Sequence, residues 1–293
     1  DTIEELNSNC SNNYIYGGSG NDTIILRGGS SAYGEEGDDI FIAYSGVCYG
    51  GIGNDTITRY GGSGVSYGGE GDDVFNIYSS NAKYFGEEGN DTFNIIGSLS
   101  GIVIDGGSGT NNVTGEVGSN TTINVVGANS GSVSLVSGEE QSVMINGINY
   151  TVSTPSSAAT VIYRINDSGQ ISFSVNTGSV IIKGDVNKKH NVELGNNVTF
   201  YGGNKGDTVT LTGNASIYCG AGNNVINAKY TFNNIYCQNG NNTITAYSYS
   251  FIYGGNGVNN VTLINRCNYV ESGSGSMNVT LKGSDNTIYG AGG

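Results

Sequence analysis

The sequence predicts an all-β fold, a parallel β-roll or β-helix solenoid of about 14 coils with a period near 18 residues, interrupted by a small β insertion. Three observations carry this: the composition, a nine-residue unit that recurs along the chain, and single apolar residues set between polar neighbours. Fifty glycines, one proline and 12% charged residues in 293 are far from an ordinary globular mixture. Gly is abundant while the good helix formers are scarce, so summed propensity opposes helix over nearly every window. No run of 18 apolar residues exists, which excludes insertion of a helix into a membrane. The net charge of −14 argues against a nucleic-acid partner and for cations or solubility.

The unit reads GGSGNDTII from Gly17, GEEGDDIFI from Gly34, GGIGNDTIT from Gly50, GGEGDDVFN from Gly68, GEEGNDTFN from Gly86 and GGSGTNNVT from Gly106. Weaker copies start at Gly127, Gly184, Gly202, Cys219, Cys237, Gly254, Ser272 and Gly290. Apart from one long gap the starts lie 16 to 21 residues apart, one full coil of a solenoid. The eighth position is apolar in Ile24, Phe41, Ile57, Phe75, Phe93 and Val113, and again from Val209 to Val279. The residue two before each unit is apolar as well, as in Ile15, Cys48, Ile104, Phe200, Ile217 and Ile235. Each coil therefore holds two short inward-facing strands. The Gly-rich stretch is expected to make one turn and a Gly/Ser/Asn stretch the other. One coil cannot bury its own apolar face, so stability has to come from stacking.

The repeat phase is lost between about residues 133 and 176, where the only proline, Pro155, occurs and the text reads as hairpins. Three regions follow: 1–132, an acidic coil stack; 133–176, an inserted β-hairpin element; and 177–293, an Asn-rich solenoid. Asp1-Thr2-Ile3 matches positions six to eight of the unit and the chain stops at GlyAlaGlyGly, so it is expected to be cut from a longer array.

Position six of the first five units is Asp22, Asp39, Asp55, Asp73 and Asp91. Residues 1–110 hold 16 acids and 3 bases, whereas 111–293 hold 9 and 8. Stacking puts the five carboxylates on one edge at ~5 Å spacing, where they repel unless neutralised. A hard divalent cation between coils resolves the repulsion, and oxygen donors without Cys/His clusters favour Ca2+ over zinc or copper. These units resemble the GGxGxDxUx nonapeptides of RTX (haemolysin-type) calcium-binding repeats over about residues 17–100. The resemblance implies a parallel β-roll with Ca2+ between successive loops. It implies side-chain ligands at the five aspartates and loop carbonyls from Gly17, Ser19, Gly34, Gly50, Gly68 and Gly86. Only one half-turn per coil carries the motif, so one row of about four ions is expected. Glu35 and Glu87 replace the second Gly in two units. Farther on, position six becomes Asn111, Asn224, Asn242 and Asn259, with Asp207 alone remaining. Neutral Asn can bond along a stack and close those turns without metal.

Ten aromatics precede the units, among them Tyr201, Tyr218, Tyr236 and Tyr253. They form a structural ladder or, alternatively, a strip that stacks on glycans or adheres to a host or cell surface. Cys219 and Cys237 fall at one position of adjacent coils and read as small buried thiols. No catalytic constellation is present, and the lone His190 has no nucleophile to serve, so the chain is not expected to be an enzyme. The expected role is a secreted or surface-displayed calcium-binding structural or adhesive segment that folds on Ca2+ binding. The alternative is a non-catalytic module of a secreted hydrolase or polysaccharide-active enzyme.

Overall fold

The computed structural model describes residues 1–9, 11–118, 121–124, 129–135, 137–155, 157–166 and 168–290. The weak repeat start at Gly127, as well as Cys10 and the last three residues, lies outside them. Among the described residues there is no helix, and parallel coils of about 18 residues make a β-solenoid of about 15 turns. The chain divides into two compact units. Unit 1 comprises Asp1–Val133, Ser142–Gly147 and Arg164–Gly169; unit 2 comprises Ser134–Gln141, Ile148–Tyr163 and Gln170–Gly293.

In unit 1 the strands Thr23–Leu26, Ile40–Ala43, Thr56–Arg59, Val74–Ile77 and Thr92–Leu99 pair in parallel, in register, along one wall. The opposite wall is Ser11–Ser19, Gly29–Glu36, Val47–Ile52, Val65–Glu70 and Lys83–Glu88. Alternation buries every second residue, as the period of two requires. Ile24, Phe41, Ile57, Phe75 and Phe93 form one inward row, fully buried. Ala32, Cys48, Ser66 and Tyr84 face them from the other wall. Phe75 stacks on Phe93 at 4.7 Å and meets the Tyr84 ring edge-on.

Unit 2 repeats the plan with Val192, Val209, Ile226, Ile244 and Val261 in one buried row. Ile182, Phe200, Ile217, Ile235 and Ile252 form the other. Its strand Ile148–Ser153 runs antiparallel to Val180–Gly184, whereas its later neighbours pair in parallel. The 133–176 region contains the strands Glu140–Ile145, Ile148–Ser153 and Ala159–Ile165 and most of Ile171–Thr177, with turns at 146–147 and at Ser168. Residues of this region belong to both units.

Two local features differ from the sequence expectation. The first three residues of each of the first five Gly-rich units continue the strand, as in Val47–Ile52, and the chain bends only from position four onward. The second position needs positive φ: Gly51 and Gly69 sit at 124° and 123°, and a side chain there would collide with the backbone carbonyl of the preceding coil. Glu35 and Glu87 hold the same row at φ 79° and 77°, a left-handed conformation that strains a non-Gly residue.

The second feature is Arg59, which lies in the inward row with Leu26, Ala43 and Ile77 and is completely buried. It faces no carboxylate. Its Nη2 donates to the carbonyls of Gly46 and Val65 at 3.1 Å, and Nε donates to Ser66 Oγ at 3.2 Å, while Nη1 has no partner. A dehydrated guanidinium held only by neutral acceptors is costly compared with an apolar residue of like volume. Arg59→Met is therefore expected to stabilise unit 1 by about 1 kcal/mol or more, read from the midpoint of urea unfolding. A lower midpoint would show that the guanidinium bonds outweigh dehydration.

Candidate metal centre

The five aspartates do not line an exposed edge. All are buried, from 4% exposed at Asp22 to 0% at Asp91. Each turns its Oδ1 back to accept the amide N–H of the same position in the preceding coil. Asp22 donates to Asp39, Asp39 to Asp55 and Asp55 to Asp73 at 2.7 Å, and Asp73 to Asp91 at 3.0 Å. The backbone nitrogen of Asp1 sits against Asp22 Oδ1, and Asp91 donates to Asn111 Oδ1 at 2.7 Å. One carboxylate oxygen per coil thus satisfies a turn amide that the strand ladder leaves unpaired.

The other oxygen has no such use. Oδ2 of Asp22, Asp39, Asp55, Asp73 and Asp91 is buried without a hydrogen-bond partner. Each points into the space that a glycine leaves by having no side chain. A carbon added to Gly17, Gly34, Gly50, Gly68 or Gly86 would lie within 3.0 Å of the Oδ2 of its own unit and of the position-one carbonyl of the next coil. Two oxygens, one of them anionic, converge on one small volume. Only a proton or a cation can make that arrangement attractive.

Asn111 places an N–H where the acidic coils place Oδ2. Asn111 keeps Oδ1 on the Asp91 amide and uses Nδ2 to donate to Gly106 O at 2.9 Å and Ser108 O at 3.3 Å. Asn224 and Asn242 use Nδ2 otherwise, donating to the position-four carbonyls of Gly222 and Gly240 at 3.1 and 3.2 Å and, along the stack, to Oδ1 of Asn242 and Asn259 at 2.7 and 2.8 Å. Asp207 is satisfied differently: Oδ2 accepts the Gly203 N–H at 3.0 Å, and Oδ1 accepts the His190 amide and contacts its ring Nδ1, both at 2.9 Å. Among the described residues, the position-six oxygens without a partner are those of the first five units.

The glycines named as carbonyl donors are therefore brought to the aspartates, and the position-one carbonyls of Gly34, Gly50, Gly68 and Gly86 stand nearest the unmet oxygens. Ser19 occupies the row of Glu36, Ile52, Glu70 and Glu88. The carbonyls of those four already accept the position-four N–H of the preceding coil at 2.7 to 2.8 Å, leaving each one free lone pair. Gly50 and Gly68 also floor an outer trough of about 510 Å³ flanked by Tyr49, Tyr67, Glu70, Glu87 and Glu88.

Sequence reading missed two participants. Position five forms a second, exposed ladder of opposite polarity: Asn54 N donates to Asp38, Asp72 N to Asn54 and Asn90 N to Asp72, at 2.7 to 2.8 Å. The alternation of Asn and Asp there, visible as GND and GDD, keeps like charges off adjacent coils. His190 was the other. It stands in register with Asp207 because Asn191 pairs with Thr208, so the loop from Gly184 is one residue longer than a regular unit.

The aromatic row stacks face to face. Tyr201, Tyr218, Tyr236 and Tyr253 lie 4.6 to 4.9 Å apart with planes within 8° of parallel. Neighbouring rings cover the faces on which a sugar would stack, leaving edges and hydroxyls outward.

Burial holds the Asp39 carboxyl above its usual range, pushes Asp55 and Asp91 up to about 6 and Asp73 up to about 8, and neighbouring aspartates add to the burial effect. The turn amides oppose the shift. In comparisons with family models, curated proteins and solved structures, the chain matches none.

Folded carboxyls that titrate above their unfolded range retain protons that the unfolded chain has released, so stability falls as pH rises between those values. Metal-free protein is expected to lose unit 1 stability progressively from about pH 4 to pH 8, followed by thermal melts in chelator; a flat profile would contradict the buried row. Asp73→Asn supplies the missing N–H, and at pH 8 without metal it is expected to gain about 1–3 kcal/mol.

Proposed function

We propose that unit 1 is a calcium-dependent structural module of RTX type, a segment of a larger extracellular protein whose first coils fold when Ca2+ is supplied. The observation that carries this reading is the row of five buried Oδ2 atoms, each directed with a backbone carbonyl at the space left by a glycine. The donor set is all oxygen, which suits a hard cation; among the described residues no cluster of three or more His, Cys, Asp or Glu side chains is assembled, so backbone carbonyls would make up most of the shell.

The residues divide the work. The aspartate Oδ1 atoms hold coil to coil and fix each carboxylate in place. The Oδ2 atoms and position-one carbonyls would hold the ion, whose charge supplies what the Asn side chains supply internally in other coils. Glycine at position one keeps the space open. Without the ion, dehydration and mutual repulsion of the carboxylates oppose folding at neutral pH, so cation binding becomes folding free energy. Such a chain stays loose where calcium is scarce and closes where it is millimolar, which supports assignment to the outside of the cell.

Titration of chelated protein with Ca2+ at pH 7.5, followed by circular dichroism and calorimetry, tests the proposal. The expected result is a calcium-dependent rise in the unit 1 melting temperature, with about four or five ions bound. Asp73→Asn should bind fewer ions and melt at a higher temperature than the wild type in chelator. Melting curves that do not respond to calcium at pH 7.5, where protons no longer satisfy most of the row, would end the reading.

A further inference from the structure

A second chemistry occupies position one in unit 2. Where position six is acidic, in the coils from Gly17 to Gly86 and again at Gly202, position one is glycine. In two successive coils the glycine is replaced by Cys219 and Cys237, and there position six is neutral, Asn224 and Asn242. The thiol thus fills the space that the acidic coils leave open. Its companion Asn has no unmet oxygen to direct there, since Nδ2 donates to the loop carbonyl.

The two sulfurs lie 3.6 Å apart, and both side chains are buried, Cys219 fully and Cys237 with 6% exposure. Their backbones are pinned on both sides. Tyr218 and Tyr236 pair in register just before them, with rings stacked at 4.7 Å. The Cys219 and Cys237 amides donate to Tyr236 O and Tyr253 O at 2.9 Å. In-register parallel strands hold equivalent Cα atoms ~4.8 Å apart, inside the roughly 4.4–6.8 Å range of disulfides. Closing the sulfurs from 3.6 Å to about 2.05 Å takes rotation of the side chains and a small local approach of the two Cβ atoms toward ~3.8 Å. Among the described cysteines the other two are placed differently, Cys48 in the core beside Arg59 and Cys267 exposed.

We propose that Cys219 and Cys237 are a peroxide-oxidisable pair that forms a disulfide between adjacent coils. Cys237, the more accessible thiol, attacks the peroxide O–O bond, giving Cys237 sulfenic acid and one water. Cys219 sulfur then displaces the hydroxyl from Cys237 sulfur, and the thiol proton leaves with it as a second water. Two electrons pass from the two thiols to one equivalent of hydrogen peroxide, and the S–S bond replaces two S–H bonds. The contact with Cys237, together with burial, holds the Cys219 thiol above its ordinary range. The bond would close an 18-residue loop and restrict the unfolded chain, so unit 2 would respond to oxidant whether or not unit 1 responds to calcium.

Trypsin separates the two residues, because Cys219 lies between Lys205 and Lys229 and Cys237 between Lys229 and Arg266. Full-length chain is treated with hydrogen peroxide, unfolded in an alkylating agent without reductant, and the monomer band is digested and analysed by mass spectrometry. The expected product is peptide 206–229 linked to peptide 230–266, reversed by reductant and accompanied by a higher unit 2 melting temperature. Cys237→Ser should yield no linked peptide and a melting temperature indifferent to peroxide. Recovery of both wild-type peptides singly alkylated, or of Cys237 as sulfinic acid beside alkylated Cys219, would overturn the proposal.

Discussion

The interaction on which the acidic coils depend is the acceptance of a turn amide by the position-six side chain of the following coil. Strand ladders satisfy the walls, but the bend between them presents N–H groups that face the interior, where water does not reach. Asp and Asn both place an oxygen there, and the 2.7 to 3.1 Å bonds from Asp22 through Asn111 and from His190 through Asn242 are one device repeated. Residues chosen for this task must be buried. Everything distinctive about the acidic coils follows from the second atom of that side chain. In Asn it carries hydrogens and bonds to the loop, whereas in Asp it carries charge and finds another oxygen.

The same logic makes glycine at position one a chemical requirement as well as a conformational one. At Gly50 or Gly68 a methyl group would sit where Asp55 or Asp73 Oδ2 and the next carbonyl converge. At Cys219 and Cys237 the space is filled by sulfur, and the facing residues are neutral. Conformation explains the second glycine instead, and Glu35 and Glu87 show that the left-handed backbone persists when glycine is absent.

The winding of the chain was legible because inward rows such as Ile24, Phe41 and Ile57 return at a fixed interval between polar neighbours. The acidic row was equally plain, but its burial was not. Acidic residues next to glycines read as solvent-facing, and only the stack reveals that the turn folds its sixth side chain inward to reach an amide a full coil away. His190 was seen only as a lone histidine, and its place in the ladder was hidden because one additional residue in its loop shifts it out of the counted position. Arg59 escaped for a related reason: a basic residue at an inward position looks like a phase error until the carbonyls of Gly46 and Val65 are seen to receive it.

The identical Oδ1 role of Asp and Asn has an evolutionary consequence. Exchanging a single terminal atom, oxygen for an amino group, switches a junction between needing outside help and closing by itself, while the bond that defines the winding is untouched. An array built this way can drift one rung at a time, grading its dependence on the surroundings along its length without passing through an unfolded ancestor.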